Sequence, residues 1–321
     1  MPLVPIRAYW PVDPEIGRVP AIVFAHGGGW CLGSLNAYDT PCRSLAKATG
    51  CVVFSVDYRL APEHPFPVPL DDVYAALDWV ADHAAMLAVD EERLVIAGDS
   101  AGGNLAAAAA LMARDRAGPK IAHQLLFYPA LDIDLDTPSY RAFAEGYYLT
   151  REVMRFCWET YVGTLHDNVS VYAAPGRAAV AGLPSTTIFV CEFDPLRAEA
   201  EQYARRLAQA GIPVRLIRLE GLIHACLPAY DRADFRRPSR FHRRGRRVAR
   251  RPDGLPRRLG ACERRSCITV GLTRMPDVIA PTRRGLHGTP DLRVPPAVVR
   301  DRGGNPGRRV NRAGFPRGSH S

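Results

Sequence analysis

Residues 94–105 read LVIAGDSAGGNL, and this stretch decides the architecture. Leu94–Ala97 is short, apolar and partly β-branched, which marks a buried strand. Ala101–Arg116 is rich in alanine and leucine and continues as a helix. Between them GDSAGG (Gly98–Gly103) forces Ser100 into a sharp strand-to-helix turn. Glycines flank the serine because a side chain there would collide with the turn itself. Such a turn lifts the Ser100 hydroxyl clear of the sheet and sets a helix N-terminus behind it, where developing negative charge is stabilised. An ordinary glycine-rich turn is the bland alternative, and the strand and helix on either side argue against it.

The same alternation extends outward. Ala21–Ala25, Cys51–Val56, Gln124–Tyr128, Thr187–Cys191 and Val214–Leu219 read as further buried strands. Tyr38–Ala48, Leu70–His83 and Leu196–Ala210 read as helices between them. Strands alternating with helices predict an α/β fold, a mostly parallel central sheet with helices on both faces. Thr137–Asp167 interrupts the pattern with Phe143, Tyr147, Tyr148, Phe156, Trp158 and Tyr161, an aromatic insertion expected to form part of a substrate-pocket lid. Aromatic content of this kind also suits plain core packing.

A second motif, HGGGW (His26–Trp30), follows the strand Ala21–Ala25. Consecutive glycines let backbone approach a ligand closely and leave N–H groups free to point at it. Acyl-transfer intermediates carry an oxyanion that needs such donors. Gly27, Gly28 and Gly29, with the N–H of Ala101, are assigned to that hole, Gly27 through the shape of the loop. His26 reads as a structural residue fixing the loop. A phosphate cradle is disfavoured, because neither G-x-G-x-x-G nor G-K-[ST] occurs.

These motifs together resemble the hormone-sensitive-lipase family of esterases (bacterial family IV) of the α/β-hydrolase fold. DYRLAPEHPFP (Asp57–Pro67), GYYLTREVMRFCWETYVG (Gly146–Gly163), DPLR (Asp194–Arg197) and GLIH (Gly221–His224) extend the resemblance in the family's order over about residues 4–230. It implies Ser100 as nucleophile, His224 as general base then acid, and Asp194 as the carboxylate that orients the imidazole. Two alternatives stand beside Asp194: it could merely cap the helix after it, and Glu192 is a rival carboxylate. Trp30, Tyr147 and Trp158 are expected around the substrate. In DYRLAPEHPFP, Arg59 and Glu63 are expected to pair; beyond it, Asp71 and Asp72 are expected to favour a helix N-terminus, and removal of Asp99, beside the nucleophile, to disturb the elbow. No metal or organic cofactor is implied. The expected partner is a small-molecule ester, with room for a homodimer.

Composition sets the remaining expectations. Residues 1–235 hold 19 basic and 28 acidic residues, net −9, whereas 236–321 hold 23 arginines, no lysine and five acidic residues, net +18. The sequence thus divides into a catalytic domain, 1–235, and a tail without period, expected to be disordered and of a composition that GC-rich codons give out of frame. A tail that binds nucleic acid is the competing reading, and a lysine-free composition counts against it. The eight cysteines form no C-x-x-C, so reduced thiols are expected. No signal-peptide core or bilayer-length apolar run occurs, pointing to a cytoplasmic protein.

The chain also departs from the family. It starts near the segment where two lid helices and a first strand would already have passed, so the acyl pocket is expected to be open on one side and, by resemblance, the N-terminal lid largely missing. Ala225 and Cys226 replace a small glycine and an aromatic, and the sequence turns basic at Arg236 where a covering helix is expected. An esterase damaged at both ends is therefore the rival to an active one. A non-catalytic hormone-receptor role is opposed by the presence of His224.

Overall fold

A computed structural model describes residues 3–11, 17–165, 168–229 and 291–294. Its strands are β1 (Val4–Tyr9), β2 (Val19–Ala25), β3 (Val52–Val56), β4 (Val89–Asp99), β5 (His123–Phe127), β6 (Ser185–Phe193), β7 (Val214–Ile223) and β8 (Asp291–Val294). They form one sheet in the order β7-β6-β5-β4-β2-β3-β1-β8. The six strands from β7 to β3 are parallel, and β1 runs antiparallel to β3. The chain enters through β1 and crosses to the centre at β2, then winds outward in both directions. The carboxyl ends of β2, β4, β6 and β7 therefore gather along one edge, where α/β sheets place their ligands.

Strand periodicity decides which side chains meet which helices. On β2, Ala21, Val23 and Ala25 face one core while Ile22 and Phe24 face the other. On β4, Leu94 and Ile96 join the first set, Val95 and Ala97 the second. The first face is covered by α2 (Val68–Asp82), α3 (Ala101–Asp115) and α6 (Arg197–Gln209), the second mainly by α1 (Asp39–Thr49). Each fully buried Val, Leu or Ile stabilises this arrangement by about 1.5–3 kcal/mol. The alanine run 106–110 is wholly buried, and these small side chains let α3 lie close on the sheet. Gly102 goes further, since a Cβ there would collide with the Ala25 carbonyl of β2.

The aromatic insertion folds as α4 (Pro138–Phe143) and α5 (Arg151–Val162). Each is started by a threonine: Thr137 accepts from the Tyr140 N–H, and Thr150 from the Val153 N–H at 3.1 Å. Three readings of the sequence need amendment. Strand β1 was not foreseen, because Pro5 interrupts its apolar pattern. Arg59 pairs not with Glu63 but with Asp72, through Nη2 at 2.7 Å and Nε at 2.9 Å, and its backbone N–H donates to the same carboxylate. Asp72 is thus a buried partner of the Asp57–Pro67 loop more than a neighbour of a helix terminus. Within 236–321, where no element was expected, Asp291–Val294 lies antiparallel to β1. The rest of that segment, with the frame and disorder readings attached to it, and the covering helix expected beyond residue 229 lie outside the described residues. The six described cysteines are all free thiols.

His123 opens β5 and is 1% exposed, its ring nitrogens held by Ser185 Oγ at 2.7 Å and Thr187 Oγ1 at 3.0 Å. Burial pushes this imidazole down to about 4. The unfolded chain therefore binds a proton between about pH 6.5 and 4 that the native state refuses. Native stability falls as pH drops through that window, by on the order of 3 kcal/mol for this group. Urea titrations at about pH 7 and 4.5 should show a smaller acid loss in His123→Gln than in the parent. Equal losses would contradict the assignment.

Candidate active site

The end of β4 delivers Ser100 with φ 55° and ψ −119°, a conformation that costs a non-glycine residue about 1–3 kcal/mol. Its amide donates to the Phe127 carbonyl at 2.9 Å, and its own carbonyl accepts from Ala130 at 3.2 Å and from Asn104 in α3 at 3.0 Å. The strained turn is thereby tied to β5 and to the helix behind it. The hydroxyl lies 2.9 Å from His224 Nε2. His224 sits in the turn after β7, and its Nδ1 is 2.7 Å from Asp194 Oδ2. Asp194 and His224 are both buried, while Ser100 is 9% exposed.

Asp194 makes contacts of both kinds weighed for it. Oδ1 accepts the Leu196 N–H at 2.9 Å, just ahead of α6, and Oδ2 faces the imidazole. The rival Glu192 lies elsewhere: its carboxylate takes the Gly221 N–H at 2.7 Å and Arg218 Nη2 at 3.2 Å. It braces the strand that carries His224 without touching the ring. These contacts hold its carboxyl below the usual range, the Gly221 N–H foremost.

The loop after β2 faces Ser100. Gly28 (φ 130°) and Gly29 (φ 60°) adopt backbone that favours glycine. A Cβ on Gly28 would strike the Leu32 carbonyl, and one on Gly29 would strike Cys157 Sγ of α5. Among the described residues the N–H groups of Gly28, Gly29 and Ala101 have no protein acceptor. Gly27 differs: its N–H donates to Asp99 Oδ1 at 2.8 Å and the Tyr38 hydroxyl at 3.0 Å, so it has no N–H to offer an oxyanion. Its contribution is the position of the loop. His26 is fully buried, its Nδ1 2.9 Å from the Gly27 carbonyl and its ring stacked on Tyr58 at 4.4 Å. Burial holds this imidazole below its ordinary range, as suits a neutral structural residue.

The three aromatics expected around the substrate separate. Trp30 and Trp158 are 0% exposed, and Trp30 stacks on Tyr161 at 4.4 Å with an interplanar angle of 2°. In this structure they are core, fixing α5 against the glycine loop, and offer a ligand no surface. Tyr147 is partly exposed and stacks on Phe193 at 5.6 Å, beside the end of β6. Phe193, Tyr38 and Tyr128 were not singled out from the sequence. The only pattern that could have flagged Tyr128 is its place before Pro129 at the end of a central strand. A surface hollow of about 700 Å³ lies away from Ser100, and two of its carboxylates, Asp132 and Asp136, are already paired with Arg177 and Arg141.

Fold and site define a class before any particular relative. A family model described as alpha/beta hydrolase fold matches residues 22–228, and the chain belongs to that family, in its hormone-sensitive-lipase-like (family IV) branch, whose members hydrolyse ester bonds. Among its relatives, Carboxylesterase NlhH of Mycobacterium tuberculosis is 43% identical over 226 residues, covering 69% of this chain and 70% of that one. The Arylesterase of Saccharolobus solfataricus is 35% identical over 226 residues, covering 70% and 73%. A solved Pyrobaculum calidifontis esterase superposes with a TM-score of 0.68 at 43% identity, over 71% of this chain and 74% of that one. No described helix is long and apolar enough to cross a membrane.

Proposed function

We propose that this chain is a serine carboxylesterase acting on short to medium acyl esters through Ser100, His224 and Asp194. The observation that carries this reading is the unbroken line Ser100 Oγ–His224 Nε2 at 2.9 Å and His224 Nδ1–Asp194 Oδ2 at 2.7 Å. It lies beside a loop in which the Gly28 and Gly29 N–H groups have no protein acceptor among the described residues. His224 takes the hydroxyl proton as Ser100 Oγ attacks the ester carbonyl, and the carbonyl oxygen becomes an oxyanion received by the N–H groups of Gly28, Gly29 and Ala101. The imidazolium, steadied by Asp194, returns that proton to the departing alkoxide, which leaves as alcohol. A water molecule deprotonated by His224 then attacks the acyl-serine, and collapse of the second tetrahedral intermediate frees the acid and restores the Ser100 hydroxyl.

The walls of the loop support this acyl range. The Trp30–Tyr161–Trp158 block is closed, so no deep slot opens on that side. Apolar contact is left to the rim, with Leu32 70% exposed next to the Gly28 turn and Phe156 63% exposed on α5. p-Nitrophenyl acetate, butyrate and hexanoate should be cleaved with kcat/KM roughly tenfold or more above the dodecanoate. A profile that rises steadily to the longest chain would refute the acyl preference, and no hydrolysis of any ester would refute the function.

A further inference from the structure

We infer that Tyr128 and Asp99 form a buried bridge that holds the glycine-rich loop and the histidine loop in register, making Tyr128 a positioning residue for His224. This inference rests on the esterase reading above. It starts from an accounting of protons. The Tyr128 hydroxyl accepts the Leu227 N–H at 3.0 Å, three residues past His224. Its own single proton then has one acceptor within reach among the described residues, Asp99 Oδ2 at 3.4 Å. Tyr38 repeats the arrangement: its hydroxyl accepts the Gly27 N–H at 3.0 Å and donates to Asp99 Oδ2 at 3.0 Å. Asp99 Oδ1 takes the Gly27 N–H directly at 2.8 Å.

Asp99 therefore receives three donors and gives none. Only the carboxylate satisfies that set, because a proton on Asp99 Oδ2 would have to be given to one of the two hydroxyls and would leave that hydroxyl's own proton without its acceptor. The result is a continuous path, Gly27–Asp99–Tyr128–Leu227, joining a loop after β2 to one after β7. Asp99 and Tyr128 are each 1% exposed, so water does not compete for these bonds. Tyr128 is held firmly for the task. Its backbone has φ 35°, its amide donates to the Phe189 carbonyl at 2.7 Å, and its ring meets His224 edge-on at 4.8 Å.

The bridge touches neither substrate nor reacting atoms. Its effect is on where the imidazole and the oxyanion donors stand relative to each other, and misplacing a reacting group by about 1 Å can cost 10²-fold in rate. The groups facing Asp99 are Tyr38 just before α1, Cys42 in α1, Tyr58 after β3, Tyr128 after β5 and His224 after β7. Burial among them pushes the Asp99 carboxyl up to about 6, so it is ionised at neutral pH and takes a proton in mild acid.

The test is Tyr128→Phe, which keeps the ring against His224 and removes one oxygen. With a soluble p-nitrophenyl ester, kcat should fall about tenfold or more while KM stays within about twofold. The downfield proton resonance of the His224 Nδ1–H should shift or broaden. Asp99→Asn should lower kcat in the same way, and the double variant should lose less than the product of the two single losses. The unmodified enzyme gives a check that needs no variant. Below about pH 6 its kcat/KM should fall more steeply than a single protonation allows, with Asp99 among the groups that take up a proton. Unchanged kcat in folded Tyr128→Phe would overturn the proposal, whatever its stability. If that variant does not fold, unchanged kcat in folded Asp99→Asn would overturn it instead. These failures are separate from that of the esterase reading, which is lost only if the unmodified chain has no Ser100-dependent hydrolysis.

Discussion

Exchanging His224 for alanine should lower kcat by on the order of 10⁴–10⁶ with little change in KM. The loss is this large because one residue carries the proton in every step: off Ser100, onto the leaving alkoxide, off the water and back to the serine. The ring is positioned for it, with Nε2 at 2.9 Å from Ser100 Oγ and Nδ1 tied to a fully buried carboxylate. Asp194→Asn should cost nearly as much, about 10⁴, for a different reason. An amide can donate to Nδ1 and leave the proton on Nε2, where Ser100 then meets a donor instead of a base. Oδ1 also caps the chain at Leu196, so Asp194→Ala should lose stability as well as rate, whereas the asparagine can keep that cap. Steady-state kinetics on the three variants, with circular dichroism to confirm folding, distinguishes these effects. An Asp194→Asn enzyme within tenfold of the parent would show that the carboxylate does not set the tautomer.

Gly29→Ala should disable the loop through a single methyl group, reducing kcat by about 10²–10³. Gly29 has φ 60°, and the added carbon would meet Cys157 Sγ on a helix locked by the stacked Trp30, Tyr161 and Trp158. The helix cannot retreat cheaply, so the loop must move and carry its N–H groups off the oxyanion. A companion change separates collision from conformation: Cys157→Gly clears the space without relieving φ. Rescue of Gly29→Ala by Cys157→Gly to near the parent kcat would place the fault in the collision. No rescue would place it in the backbone. An unimpaired Gly29→Ala enzyme would exclude this glycine from the oxyanion hole.

Much of this was legible in the sequence because the decisive residues are short-range. GDSAGG is strand, turn and helix within a few residues, and HGGGW is strand followed by an unusual backbone. All six strands read from apolar runs occur in the structure, β4 longer than its apolar stretch because Val89–Arg93 carries charge on a strand only partly buried. Strand β1 escaped because its alternation is broken by a proline at a position near the sheet edge, where the missing N–H is tolerated.

What stayed hidden is long-range. Arg59 has Glu63 close by in sequence, yet it reaches Asp72, the carboxylate that burial leaves in need of a cation. Trp30 and Trp158 carry the same composition whether they line a pocket or fill a core, and only the closure of α5 on the glycine loop decides between them. The bridge through Tyr38, Asp99 and Tyr128 joins residues 29 to 61 positions apart in the chain. No local pattern announces it.

The most direct test of the central claim is labelling of the chain by a fluorophosphonate probe, with Ser100→Ala beside it. The hydroxyl oxygen attacks phosphorus, fluoride leaves, and the serine is phosphonylated only if a base has activated it, so the choice of ester does not enter. Labelling of the parent at Ser100, lost in Ser100→Ala, is the expected result. A soluble, folded parent that takes up no probe would contradict the account of Ser100 as an activated nucleophile.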